Sequence, residues 1–163
     1  MEIILIRHAE AAPIGEGGAS EDAQRPLTAT GEEQAKQLGK GLERKGIHPG
    51  AVVSSPLLRS RQTAELLLKG LADPQPEVKV SEELAPGGKR RRLSRFLRGL
   101  GEDKVAIVGH QPDLGEYAAW LIGSKKAHID LAKAGVARIS FEDGPGKGKG
   151  SLVSLVTLDW LGE

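Results

Sequence analysis

Two histidines in this chain each follow a short apolar run: Ile3 to Ile6 leads into Arg7-His8, and Val105 to Val108 leads into Gly109-His110. A third run, Ala51-Val52-Val53, ends in Ser54-Ser55, a few residues ahead of Arg59. Continuous runs rich in β-branched residues read as strands buried on both faces, the kind that make parallel sheets. In open α/β sheets, ligand sites form at the carboxyl ends of such strands. If these three strands are parallel, two histidines and two arginines meet at one edge of the sheet. The helix amino termini there add backbone N–H donors and a positive dipole, which suit a phosphate.

Those residue types define a chemistry. Each arginine offers a planar fork of donors to phosphoryl oxygens. A neutral imidazole can attack phosphorus and form a covalent phosphoenzyme, splitting one displacement into two easier ones. Adjacent arginines disfavour protonation of His8 and so help to keep it nucleophilic. His110, as a donor, stabilises charge on the transferring group. The side chains supply the positive charge, so neither a metal nor another cofactor is called for. Taken singly, an Arg-His pair or a strand-end histidine is ordinary polar surface; the argument rests on their combination.

The elements that must position these residues are legible in outline. Thr30 and Glu33 fit a capping box, with Thr28 as the alternative cap, for a helix whose buried stripe is Ala35, Leu38 and Leu42 and whose stop is Gly46. Ser55, with Pro56 at the first helical position, reads as the cap of a second helix through LLRSRQTAELLLKGL. Val78 to Val80 is a further strand, Leu93, Phe96, Leu97 and Leu100 have helical spacing, and another helix spans Asp113 to Ile122. Val136 to Phe141 and Leu152 to Leu158 alternate as an antiparallel hairpin at a sheet edge. The expected fold is a three-layer α/β/α sandwich with a mostly parallel central sheet and an antiparallel edge, one domain over residues 1–163.

Composition narrows the class further. Hydrophobic residues make up 39% and charged residues 28% of 163, and the formal net charge is +1. That balance offers no global case for binding nucleic acid or an acidic membrane. The chain has no cysteine, which excludes disulfides, a thiolate nucleophile and cysteine-bound zinc. No run approaches a membrane span, and the apolar stretch ahead of Arg7 is too short for a signal peptide, so the expected location is cytoplasmic. GPGKGKGS, at Gly144 to Ser151, lacks the order of a Walker loop and joins two strands; it reads as a hairpin loop. Lys89 to Arg92, with Arg95 and Arg98, is either a docking face for an acidic partner or the wet face of a helix. His48 and His128 read as surface residues, and Trp120 and Trp160 as packing.

Four segments carry a resemblance. R-H-A at Arg7 to Ala9, P-L-T-x-x-G-x-x-Q-A at Pro26 to Ala35, S-P-L-x-R-x-x-Q-T-A at Ser55 to Ala64, and G-H at Gly109-His110 are similar, in order and spacing, to the histidine phosphatase, or phosphoglycerate mutase-like, superfamily. The resemblance implies that His8 is the phosphorylated residue and that Arg7, Arg59 and His110 complete the phosphate pocket. It selects Arg59 over Arg61, which cannot share a helix face with it. Within the superfamily, R-P-L-T at Arg25 to Thr28, E-L-x-P-G-G at Glu83 to Gly88 and G-H-Q-P at Gly109 to Pro112 resemble the phosphohistidine phosphatase SixA type. Room for only one helix between the third and fourth strands means no large cap, and an open pocket suits a phosphorylated side chain on another protein.

The expected activity is therefore metal-independent hydrolysis of a phosphoryl group through a phosphohistidine intermediate, with inorganic phosphate as product. The expected partner is a phosphohistidine protein, such as a histidine-containing phosphotransfer domain. A phosphomonoesterase acting on a small metabolite or sugar phosphate is the rival enzyme, and a non-catalytic phosphate-recognition module is the rival of another class. Arg25 and Ser55 are candidate substrate contacts, and Glu83 is the candidate general acid. Phosphohistidine needs such an acid least, because imidazole, with a pKa of about 6.5, leaves more readily than an alkoxide.

Overall fold

The computed structural model describes residues 1–162. Six strands form one sheet: β1 (Glu2–Arg7), β2 (Ala51–Ser54), β3 (Val78–Val80), β4 (Lys104–Gly109), β5 (Val136–Phe141) and β6 (Gly150–Val156), in the order β3-β2-β4-β1-β5-β6. The first four in that order are parallel, and β5 and β6 run antiparallel at the edge. Helices α1 (Ala29–Arg44), α2 (Leu58–Leu68) and α5 (Leu158–Gly162) cover one face, while α3 (Arg90–Gly99) and α4 (Asp113–Leu121) cover the other.

β1 shows why the sheet lies in the middle. Ile3 and Leu5 point into the core made with Leu93, Leu97 and Leu121, and Ile4 and Ile6 into the core made with Leu38, Leu42 and Leu67. All four are fully buried. Alternation along the strand sends neighbours to opposite faces, so an unbroken apolar run is what two cores require. Each buried side chain contributes about 1.5–3 kcal/mol.

Local details depart from the sequence reading in four places. The cap of α1 is Thr28, whose hydroxyl oxygen accepts from Gly31 N at 3.0 Å and donates to a Glu10 carboxylate oxygen at 2.8 Å; the Thr30–Glu33 box is not used. The second bond ties the helix start to the segment after His8, an advantage that Thr30 lacks. Helix α2 begins at Leu58 rather than at Pro56, because the Ser55 hydroxyl is turned to His110 and only weakly receives Leu57 N, at 3.3 Å. Trp160 is 64% exposed and not a packing residue, since the single turn of α5 turns Leu161 inward. Trp120 is half-buried and stacks on Tyr117. The second hairpin strand spans Gly150–Val156, and Leu158 opens α5 instead. Gly46 does end the first helix, with φ +66°. His48 and His128 are exposed.

Residues 142–149 join β5 to β6 as a hairpin loop, and Gly150 and Ser151 of the Gly/Lys-rich segment already belong to β6. In the basic run, Arg90 pairs with Glu116 at 2.8 Å, and Arg98 donates to the Pro145 carbonyl at 2.7 Å. Leu93 and Leu97 face inward, so the basic residues line the outer side of α3.

Candidate active site

Register brings the strand ends together. Arg7 lies opposite Gly109, and Ser54 opposite Val108. The pairing continues past the strands, with His8 N donating to Gly109 O at 3.0 Å and Ser55 N to Val108 O at 2.9 Å. His8 and His110 thus emerge side by side, their ring centroids 5.3 Å apart. Both are buried.

The hydrogen bonds of His8 define its tautomer. Its Nδ1 lies 2.7 Å from the Ala9 carbonyl oxygen, which can only accept, so Nδ1 carries the proton. Nε2 therefore keeps its lone pair, and Arg59 Nε donates to it at 3.2 Å. Burial, the largest cause, pulls the His8 pKa down to about 4; the Ala9 bond opposes this, and Arg59, Arg7 and Arg25 add to it. Neutrality at pH 7 thus owes more to desolvation than to the arginines that the sequence suggested. His110 is held lower still, at about 3, again first by burial and then by His8 and Arg59.

Around the rings, Arg59 is itself buried and spends its remaining nitrogens on Asp22: Nη1 donates to the backbone carbonyl at 2.8 Å and Nη2 to Oδ2 at 3.1 Å. Arg25 reaches the same carboxylate, Nη1 to Oδ1 at 3.0 Å, while its Nε donates to Ala12 O at 2.8 Å. Arg7 donates to Leu131 O at 2.9 Å. The Ser55 hydroxyl is 2.7 Å from His110 Nε2. Among the described residues two buried side-chain nitrogens lack a hydrogen-bond partner, and they are Arg7 Nε and His110 Nδ1. An unpaired buried donor is costly, and an oxyanion between these residues would satisfy such groups.

The structure thus gathers Arg7, His8, Arg25, Ser55, Arg59 and His110. Glu83 stands apart, on the 3-10 turn Glu82–Leu84. Its carboxylate accepts from Lys89 N at 2.9 Å and lies 3.7 Å from Arg92. It lines a cleft of about 160 Å³ that His110 also borders, without a bond to either histidine. Asp22 was not visible as a site residue; its only signal in the sequence is an acid three positions before Arg25 in a long polar loop.

The recurring Gln and Thr of the motifs have structural tasks. Thr63 Oγ1 accepts from Ala9 N at 3.1 Å and donates to Arg59 O at 2.7 Å, tying the nucleophile's segment to the arginine's helix. Gln34 and Gln62 receive the backbone N–H groups of Glu10 and Leu27. A side chain at Gly31 would collide with the Glu10 carbonyl, so the helix can approach this segment only with glycine there.

Both histidines bind fewer protons in the folded protein than in the unfolded chain, where they titrate near 6.5. Stability is therefore fully present above pH 6.5 and falls as pH drops towards 4. The slope is up to about 1.4 kcal/mol per pH unit for each ring. Asp22, with its pKa lowered first by the bond from Arg25, adds loss only at more acid pH. Urea unfolding at pH 7, 6 and 5 checks this; a flat profile contradicts it.

A neutral imidazole backed by guanidinium groups thus stands at the carboxyl edge of the parallel strands of an α/β sheet covered by helices on both faces. The sequence model of the histidine phosphatase superfamily (branch 1) matches residues 3–85. Phosphohistidine phosphatase SixA of Escherichia coli is 31% identical over 124 residues, covering 74% of each chain. An uncharacterized protein of Picosynechococcus sp. is 41% identical over 143 residues, covering 83% of this chain and 82% of its own. The chain belongs to the histidine phosphatase superfamily. In structure it is similar to the protein histidine phosphatase SixA complexed with tungstate, with a TM-score of 0.85, 25% identity and 99% of each chain covered.

Proposed function

We propose that this chain is a phosphohistidine phosphatase that works through a covalent intermediate on His8. The observation that carries the reading is the tautomer: Nδ1–H is held by the Ala9 carbonyl, which puts the lone pair on Nε2, where it accepts from Arg59 Nε until phosphorus takes that place. Nε2 forms a bond to phosphorus as the P–N bond to the substrate imidazole breaks; that imidazole keeps the electron pair and leaves neutral, because its other ring nitrogen has already taken a proton from solvent. Water then attacks the phosphorus of phospho-His8, returning the nitrogen its lone pair and releasing inorganic phosphate. Arg7, Arg25 and Arg59 balance the oxygens' charge. Ser55 Oγ accepts from Leu57 N and lies within hydrogen-bond distance of His110 Nε2; in the tautomer in which the Ser55 hydroxyl donates there, the ring proton of His110 sits on the unpartnered Nδ1 and is donated to the phosphoryl group.

Several features support a protein-borne substrate. Between β3 and β4 stand only the 82–84 turn and α3, so the reading is of one domain with an open site. The SixA relatives bear the name of the same substrate class. Arg7, Arg25 and Arg59 supply the positive charge, so the reading is metal-independent; among the described residues, no three or more His, Cys, Asp or Glu side chains group to hold a metal. Among them also, no helix is long and apolar enough to cross a membrane. With no cysteine that would call for an oxidising compartment, we place the activity in the cytoplasm.

The rival reading, a small phosphate ester with Glu83 as acid, is favoured by the position of Glu83 in the cleft beside His110. Comparing kcat/KM for a phosphohistidine protein, a phosphoserine peptide and small phosphate esters separates the two. The phosphohistidine protein is expected to lead by at least about tenfold, with Glu83→Gln changing its turnover by less than about threefold, since imidazole needs little acid assistance. A lead for an ester together with a steep loss in Glu83→Gln establishes the rival instead.

A further inference from the structure

Asp22 holds the donors that a phosphoryl group needs. All three nitrogens of the Arg59 guanidinium are engaged, Nε by His8 and both Nη atoms by Asp22. The same carboxylate bridges to Arg25. We infer that the Asp22 carboxylate is an internal anion that competes with the phosphoryl group for Arg25 and Arg59, and so weakens the site's hold on free phosphate, its product. This rests on the proposed phosphatase reading and adds to it a residue that sets phosphate affinity.

The physical case has three parts. Arg59 is 5% exposed, and a buried guanidinium without an acceptor is costly, so a counter-anion is favoured when no phosphoryl group is bound. An incoming phosphoryl group is a second anion seeking the same donors, and two anions on one cationic pair repel. Release of the first is cheap, because the Asp22 side chain is 51% exposed and can rotate into water without moving the loop. The loop base is pinned by the Ala11–Leu27 bridge and by Ala12 N to Pro26 O at 2.8 Å.

A protein substrate can offset the displacement with contacts remote from phosphorus. Inorganic phosphate has none, so the carboxylate returns and expels it. The Asp22 backbone carbonyl keeps its bond to Arg59 Nη1 in any side-chain variant, which separates competition from positioning.

Calorimetric titration of inorganic phosphate into the wild-type, Asp22→Asn and Asp22→Ala proteins tests this. Both variants are expected to bind phosphate about five- to tenfold more tightly, the scale of one partly exposed charge-assisted contact. The KM for a phosphorylated substrate is expected to fall with it, and melting temperatures without phosphate monitor the fold. Unchanged or weaker phosphate binding in both variants overturns the inference, as does the absence of phosphate binding in all three proteins; weaker binding would make Asp22 a positioning residue for Arg59. The binding readout needs no turnover, so it is independent of whether His8 is phosphorylated or which phosphorylated substrate is used.

Discussion

His8→Ala is expected to lower phosphatase turnover by roughly 10⁴-fold or more, the scale seen when a covalent nucleophile is removed. The loss follows from geometry as much as from residue type. The Ala9 carbonyl holds the ring proton on Nδ1, burial keeps the ring neutral at pH 7, and the lone pair on Nε2 lies beside the arginines that would receive the oxygens. No other side chain in the cluster can replace it: His110 spends Nε2 on Ser55, and no cysteine is available. Quenching the wild-type enzyme during turnover without acid, followed by peptide mass spectrometry, is expected to show one phosphoryl group on the peptide containing His8. An active wild-type preparation without that adduct, or an active His8→Ala protein, would remove the covalent mechanism. Circular dichroism of the variant should match wild type, because the anchors of the segment, Thr63 to Ala9 N and Gln34 to Glu10 N, do not involve the ring.

Arg59→Ala is expected to reduce kcat/KM by about 10²–10³-fold, comparable to removing one preorganised donor to a developing anion. Arg59 bonds to both the nucleophile and the loop that carries Asp22. Arg59→Lys is expected to recover little, since one ammonium cannot span His8 and Asp22 as the planar fork does. Stopped assays with each variant, at substrate concentrations above and below KM, report whether the loss falls on kcat. Near wild-type kcat/KM in Arg59→Lys would show that only the charge matters and that the fork geometry is dispensable.

Much of the architecture could be read from local pattern, because each feature needs only neighbours in the chain. Ile3 to Ile6 and Val105 to Val108 announce buried strands by composition, and the strand-end placement of His8 and His110 follows from where those runs stop. The hairpin of β5 and β6 shows in its spacing, and α1 in its apolar stripe. Where two local signals competed, the chain alone left the choice open. Thr28 prevails over Thr30 as the cap of α1 because its hydroxyl also reaches Glu10.

What only the tertiary structure decided are the states and partners of those residues. The side-by-side order of β2, β4 and β1 sets two rings 5.3 Å apart, and the depth of that edge keeps both of them neutral. Ser55, which reads locally as a helix cap, serves His110 instead. Asp22 enters from a polar loop with no periodic signature and binds an arginine 37 positions away. The physical reason is common to all three. Burial and hydrogen bonding between distant segments depend on how elements pack, whereas apolar periodicity and turn chemistry are properties of a short stretch of chain.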